Sequence, residues 1–515
     1  MATGYNPHDK PARPNIIEMK QIYMRSSFTF IFLTLILFRQ GFAQEPIQKI
    51  NRLQVKGILV DAKTKNPLPY ANIVVERIDL GGITNEEGKF SINPTDLKKT
   101  DFLTFHYIGY KTKRIVVDSI FKNPTVLLEE DIEILSNVFV FDSPPNAKDI
   151  VKKVLENKDK NYTSNYKQEE VFIRTRNIAE IKNFNLGYIK SSISELDEQL
   201  MQEIQDKTPR YTTYYSDVLS SIYHSGYKDD SVKLKVKPVK VVELKEKDLT
   251  DLDHVAEVFD EVFSNTSNKE YWKFRIGIIS TKIDDQRDID NSINTDEIKS
   301  MGSTAKRYSS LNDGEEWEFL HSTGKYNYHL VGVTSEGNEN VYVIDFTPKR
   351  GGLYTGRVYV SVSTYALIRA DYQYDSGKLG MDIHLFGIGY TENNFIGSIL
   401  FEKTGSIYEM KYCSRKMVTT LEVDRNISLI KKRDRLLIDK TLKGIKIDLS
   451  INYLQEDSFE YLVLSKSKLE DDHYNTVKPP KYTPVTYVDQ FDASLWEDYT
   501  TIAPTEQMRE YKKQN

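Results

Sequence analysis

The stretch Leu53–Leu128 constrains this chain more than any other. Short runs of alternating apolar residues lie between turn clusters at Lys63–Pro69, Gly81–Gly82, Asn85–Gly88 and Asn93–Asp96. Period-two alternation places every second side chain on one face, so runs this short, broken this often, predict a small all-β sandwich. Val55, Ile58, Val60, Ile73, Val75, Phe90, Ile92, Leu103, Phe105, Ile115 and Val117 are the expected inward set. Asn85-Glu86-Glu87-Gly88 predicts a tight hairpin, because Gly88 takes positive φ at little cost and Asn85 accepts from the backbone ahead of it.

Four motifs in this stretch resemble one family. They are Gly57-x-x-x-Asp61, Pro67-Leu68-Pro69-x-Ala71-Asn72-Ile73, Gly82-x-Thr84-Asn85-x-x-Gly88-x-Phe90 and Ile108-Gly109-Tyr110. Together they look like the carboxypeptidase-regulatory-like domain, a transthyretin-like sandwich found at the front of many Bacteroidetes outer-membrane proteins. The resemblance implies an extracytoplasmic folding and docking module with no catalytic role of its own.

The region before it reads as a leader. Met1–Tyr23 is polar and aperiodic. Met24 then opens a better start: Arg25, an apolar run over Phe28–Phe38, and Gly41-Phe42-Ala43 before Gln44. A positive residue, a short apolar run and small residues at the −3 and −1 positions predict a secretory signal peptide within residues 1–43, cleaved between Ala43 and Gln44. The run is too short to span a bilayer, and an uncleaved anchor is the competing reading. Cys413, the one cysteine, lies far from it, so no lipoprotein-type anchor and no internal disulfide are expected.

After the sandwich (51–128), residues 129–145 read as a linker closed by Pro144-Pro145. A helix over 146–158 follows, with Ala147, Ile150, Val151, Val154 and Leu155 on one stripe and Asn146 as its cap. A second helix is expected over 250–265, with Leu252, Val255, Phe259 and Val262 on its apolar side. Ser231–Lys247 predicts an exposed strand with Pro238 at an edge or bulge. Asp284–Ser310, rich in Asp, Ser and Asn, predicts a long loop.

From Tyr271 the chain becomes a run of strands. Val358, Val360 and Val362 alternate with Arg357, Tyr359 and Ser361, and few helices interrupt. The expected fold is mainly β: the sandwich, then one large curved antiparallel sheet over 146–456 with a few packed helices. Ile344-Asp345-Phe346-Thr347-Pro348 followed by Gly356-x-Val358-x-Val360-Ser361 resembles the half-barrel of periplasmic lipoprotein carriers. The tail, 457–515, predicts an extended segment laid over the sheet and pinned by a buried Trp496.

Chemistry is sparse. The net charge of −5 over 515 residues shows no basic excess for nucleic acid. His254-Val255-Ala256-Glu257 with His384 downstream invites a zinc carboxypeptidase reading. On a helix, however, His254 and Glu257 fall opposite the apolar stripe. Gly-x-Ser-x-Gly, Walker, CxxC and His-Glu-x-x-His motifs are absent. The four aspartates of Asp284–Asp290 lack the glycine and glutamate of a calcium loop. Lys349-Arg350-Gly351-Gly352 reads as a hairpin. Tyr211–Tyr215 and Tyr326-x-Tyr328 are candidate aromatic contacts for glycan or peptide, with a structural role on a sheet face as the plainer reading.

No catalytic, cofactor or metal residues are therefore assigned. The expectation is a non-enzymatic envelope protein, facing the periplasm or associated with the outer membrane, without nucleic acid. The sandwich would dock an envelope partner, and the curved sheet would hold a lipid or peptide ligand under a lid. An outer-membrane barrel or transporter component and a zinc carboxypeptidase stand as alternatives.

Overall fold

A computed structural model of the chain describes residues 53–511, apart from 79, 95, 132–144, 163–164, 226–232, 245–252, 265–266, 268, 278, 284–291, 337–338 and 436–438. The expected leader with Ala43 and Gln44, most of the 129–145 linker, Leu252 and the aspartate-rich 284–290 segment lie outside the described residues.

Seven short strands build the sandwich: β1 (Val55–Asp61), β2 (Asn72–Val75), β3 (Leu80–Ile83), β4 (Lys89–Ile92), β5 (Phe102–His106), β6 (Lys113–Val116) and β7 (Thr125–Leu128). They divide into the sheets β4-β1-β7 and β3-β2-β5-β6. Val55, Leu59, Ile73, Phe90, Leu103 and Phe105 fill the space between them. Leu59, not Ile58, takes the core side of β1. Unbroken alternation from Val55 through Gly57 puts Leu59 on that face, and the missing side chain of Gly57 makes room there for Phe90; a β-carbon would lie 2.5 Å from the ring. The Asn85 hairpin forms as the sequence predicts. Gly88 has φ 71°, and Asn85 Oδ1 accepts from the backbone N–H of Glu87 and Lys89, each at 2.9 Å.

Longer strands follow: β8 (Lys167–Ser191), β9 (Tyr211–His224), β10 (Leu234–Leu244), β11 (Glu270–Ile276), β12 (Ile279–Ile283), β13 (Ser292–Asn294), β14 (Tyr326–Glu336), β15 (Glu339–Pro348), β16 (Tyr354–Ser361), β17 (Leu367–Tyr374), β18 (Asp382–Leu385), β19 (Ile388–Thr404), β20 (Ile407–Arg433), β21 (Lys440–Lys468), β22 (Tyr482–Pro484) and β23 (Thr486–Val488). Fourteen of them form one sheet in the order β14-β15-β16-β17-β19-β20-β21-β8-β9-β10-β23, with β18 beside β19 and the β11–β12 hairpin beside β20. Every pairing is antiparallel except the short one between β10 and β23. Among the described residues the path has two free ends, so the sheet is open and the barrel alternative has no closed wall to stand on. Pro238 sits at a register slip that leaves Val239 53% exposed, as a residue without an N–H requires.

Strands β8, β20 and β21 are 25, 27 and 29 residues long. Their length spans two hydrophobic cores in succession. The first holds the helix Ala147–Glu156, capped by Asn146, together with Trp317, Phe319 and the middle of the sheet. The second holds the helices Glu198–Lys207 and Asp253–Ser264 against Leu421, Val423, Ile427, Leu429, Ile445 and Ile451. The two expected helices therefore cover different stretches of sheet. β21 also runs straight through the expected boundary at 456, because Tyr461, Leu462 and Val463 are buried; the tail begins only after Lys468.

The expected loop over 284–310 is corrected in its second half. Thr295–Ser309 is a helix, started by Asn294, whose side chain accepts from the Asp296 N–H at 3.0 Å. Its buried stripe is Ile298, Gly302 and Ala305, narrow enough to be lost among polar neighbours. Gly302 faces Ile222, and a β-carbon there would come within 2.9 Å of the isoleucine tip.

Both faces of the sheet are covered. On one, Tyr372 packs against Trp317 and Phe319 at 5.7 and 5.1 Å. Here Trp317, Tyr326, Phe319, Phe346 and Phe395 are each under 2% exposed, so aromatic rings fill the centre of the space where a ligand under a lid was expected. On the other face lie the sandwich and the tail. Trp496 meets Phe172 edge-on at 5.4 Å, the pin expected of it.

Candidate functional site

The site grows out of how the sandwich is seated. Tyr70 follows Pro69 with φ 63°, a conformation a bulky side chain rarely holds, and its ring stacks on Tyr412 at 5.0 Å. Arg369, 3% exposed, grips Asp371 through two bonds of 2.7 and 3.1 Å. The same guanidinium donates to the carbonyls of Pro69 and Tyr70 at 3.4 and 3.5 Å, and its carbon lies 4.6 Å from the Tyr107 ring centre. A buried arginine is thus satisfied half by the sheet and half by the sandwich. Its charge costs little only while both are in place.

The tail locks the other side of the same interface. Asn85 donates to the carbonyls of Ala503 and Pro504 at 3.2 and 3.3 Å. Arg174, paired to Asp217 by two 2.7 Å bonds, donates to the carbonyls of Ile502 and Ala503.

Beside Arg369 the two units do not meet fully. A cleft of about 280 Å³ opens there, between His106, Tyr107 and Ile108 of the sandwich and the ends of β14, β15, β17, β19 and β20. Ile108, Ile368, Leu400 and Phe401 contribute its apolar surface. Glu336, Glu339 and Glu402 stand with Arg369, Lys403 and Lys411 around it.

These charges are not equivalent. Burial pushes Glu336 up to about 7; Arg369 opposes the rise, while Glu402 and Glu339 add to it. Burial acts on Glu339 the same way, but bonds from Ser361 (2.5 Å) and Tyr408 (2.6 Å), with Lys403 at 3.3 Å, hold it below its ordinary value. His106 is held low by burial and sits 2.9 Å from Thr112 Oγ1. Two neighbouring carboxyls are therefore split, one fixed as an anion and one poised between forms near neutral pH. Among the described lining residues there is no serine, threonine or cysteine to act as a nucleophile. The arrangement suits recognition: an apolar floor, a fixed anion, fixed cations and one carboxyl able to donate or accept.

The residues singled out in the sequence lie elsewhere. His254 is exposed and pairs with Glu203 at 3.0 Å, while Glu257 is exposed on the same helix. His384 lies on β18 between Asp382 and Glu422. The structure does not unite them, and among the described residues no group of three His, Cys, Asp or Glu side chains converges for a metal. Lys349–Gly352 is the β15–β16 hairpin. Tyr326 and Tyr328 are structural: their hydroxyls donate to Glu318 and to the Phe319 carbonyl, both at 2.5 Å. Within Tyr211–Tyr215, Tyr215 is 2% exposed and Tyr211 46% exposed on β9. Cys413 is buried, and burial pushes its thiol up to about 12. The cleft residues were missed because they are drawn from positions 70 to 411 with no local spacing. The one usable signal was Pro69-Tyr70 within the sandwich motif.

Among the described residues no helix is long and apolar enough to cross a membrane. No curated protein matches the chain. Among solved structures, the MucA/MucB complex of Pseudomonas aeruginosa aligns at 9% identity and TM-score 0.17, covering 60% of this chain and 94% of that one. A domain described as an outer membrane lipoprotein-sorting protein from Vibrio parahaemolyticus aligns at 7% identity and TM-score 0.19, covering 64% and 97%. The family model for the CarboxypepD_reg-like domain matches residues 55–140. Its match, the four motifs and the seven-strand sandwich agree: this part of the chain is a carboxypeptidase-regulatory-like domain.

Proposed function

We propose that this chain is an exported, non-catalytic binding protein of the cell envelope, and that it takes an extended peptide segment of an envelope partner in the cleft between sandwich and sheet. The observation that carries this reading is the cleft itself. It combines about 280 Å³ of space, an apolar floor, a fixed anion and fixed cations beside Arg369. An extended peptide offers alternating donors and acceptors with side chains to either side, which a balanced charged rim over an apolar floor can satisfy. The leader-like segment ending at Ala43 and the regulatory-like domain support export, and the cleft lining supports binding without chemistry. Under this reading the sandwich is one wall of the site, and both units are needed for it.

The test uses residues 44–515 and a library of capped pentapeptides varied in charge, screened by ligand-observed NMR. Glu402 is exposed at the rim, so Glu402→Lys perturbs charge without touching the core. Saturable binding of a peptide subset, weakened at least tenfold by Glu402→Lys for basic peptides and strengthened for acidic ones, supports the proposal. No peptide binding, or binding indifferent to Glu402→Lys, refutes it.

A further inference from the structure

The second core holds a feature the cleft does not explain. Along β20 the row facing that core is Leu421, Val423, Arg425, Ile427 and Leu429. The four aliphatic members are 3–5% exposed. Arg425 interrupts them, directly across from Leu449 of β21. It is half-buried, and its Nε is shielded from solvent with no hydrogen-bond partner in the structure. Asp424 and Glu422 alternate to the opposite side of the strand and do not face it. A shielded N–H without a partner carries a desolvation cost that a bound oxygen acceptor would remove, and the planar fork of arginine matches a carboxylate or phosphate.

The surroundings say what kind of anion. β19 leaves β20 at Val423 and β11 joins the same edge at Ile427, so two hairpin turns meet head to head over Asp424–Asn426. Gly387 (φ 72°) closes one turn and Gly277 (φ 54°) the other. Arg425 runs between them: β-carbons at these glycines would lie 3.2 Å from its Cδ and 3.4 Å from its Nη2. Larger residues at either position would press on the arginine. The rim of this notch is apolar and exposed. Leu385 is 61% exposed and Phe386 74%, and Phe386 holds φ 52° at the tip of its hairpin. The two-residue turn Phe386-Gly387, between the paired Leu385 and Ile388, calls for positive φ at both positions, but it does not call for a large aromatic ring turned to solvent.

We propose that this notch binds an anionic amphiphile, with its carboxylate or phosphate head on Arg425 and its chain along Leu385 and Phe386. The planar fork of arginine suits either head, and each methylene buried along the rim tightens binding further. This site is separate from the peptide cleft and does not depend on it.

The test uses the purified chain with three probes, each below its micelle concentration: dodecanoate, dodecyl phosphate and dodecyltrimethylammonium. Calorimetry should show saturable binding of one or both anions, at least tenfold tighter than the cation. A preference for dodecanoate points to a free fatty acid, and a preference for dodecyl phosphate to a phospholipid head. Arg425→Met keeps most of the stem and removes the charge; it should weaken the anions at least tenfold without lowering Tm, whereas Arg425→Lys should keep most of the binding. Phe386→Ser should weaken the dodecyl probes while leaving Tm unchanged or higher. No binding by the wild type, equal binding of the cation, or anion binding undiminished in Arg425→Met overturns the proposal. So does a large Tm loss in Arg425→Met with no change in affinity, which would make the arginine a packing residue.

Discussion

Replacing Glu336 by glutamine should stabilise the protein, and only above acid pH. The carboxyl titrates near 7 in the folded chain because burial and the carboxylates of Glu402 and Glu339 outweigh Arg369. In the unfolded chain it returns to the ordinary 4.5. Below pH 4.5 it is neutral in both states and costs nothing. Between 4.5 and 7 the unfolded state releases the proton first, so the folded state loses ground as pH rises; above 7 the penalty is constant. At about 1.4 kcal/mol per decade the full gap is worth about 3 kcal/mol. Glu336 is only half-buried, so solvent screening reduces this to about 1–2 kcal/mol. Glu336→Gln removes the penalty and keeps the shape. The difference in Tm between variant and wild type, followed from pH 4.5 to 8 at constant ionic strength, should rise from near zero to about 1–3 °C. Other titrating groups cancel in that difference. A flat difference across this range, or a variant less stable at pH 8, would refute the reasoning.

Three further outcomes follow from the packing. Arg369→Ala leaves Asp371 with Ser398 but no cation, and frees the Pro69 and Tyr70 carbonyls, so it should cost about 2–4 kcal/mol and make the sandwich cleavable from the sheet in limited proteolysis. Trp496→Ala removes the ring against Phe172 and should cost about 3–5 kcal/mol, with the tail beyond Lys468 becoming the first protease target. Cys413, buried and with its thiol pushed up to about 12, should resist thiol reagents at pH 8 in the native protein and react once unfolded.

What the sequence disclosed follows from how local the cause was. The Asn85–Gly88 hairpin, the Asn146 cap and the slip at Pro238 each depend on one residue's own backbone or side chain, and each is found where expected. The helix Thr295–Ser309 was hidden because Ile298, Gly302 and Ala305 make a stripe too thin to register beside serines and charges. β21 outran the expected boundary at 456 because Tyr461, Leu462 and Val463 join the first core, which is assembled from elements distant in sequence. Inward residues of the sandwich were nearly all right, but Ile58 has the opposite parity to Val55 on an unbroken β1, so the core position is Leu59. Neither the cleft nor Arg425 could be read beforehand. The first needs the docking of two units, and the second shows its isolation only when the four other members of its row on β20 are known to be buried.

The binding proposed for this chain takes place at the joint between its two units. The most direct measurement is native mass spectrometry of residues 44–515, exported from a host with an outer membrane, with metal analysis on the same sample and Arg369→Ala alongside. A peptide-mass adduct on metal-free wild-type protein, absent from the variant, is the predicted result. Stoichiometric zinc that disappears in His254→Ala, or an adduct retained by Arg369→Ala with its sandwich released, would contradict it.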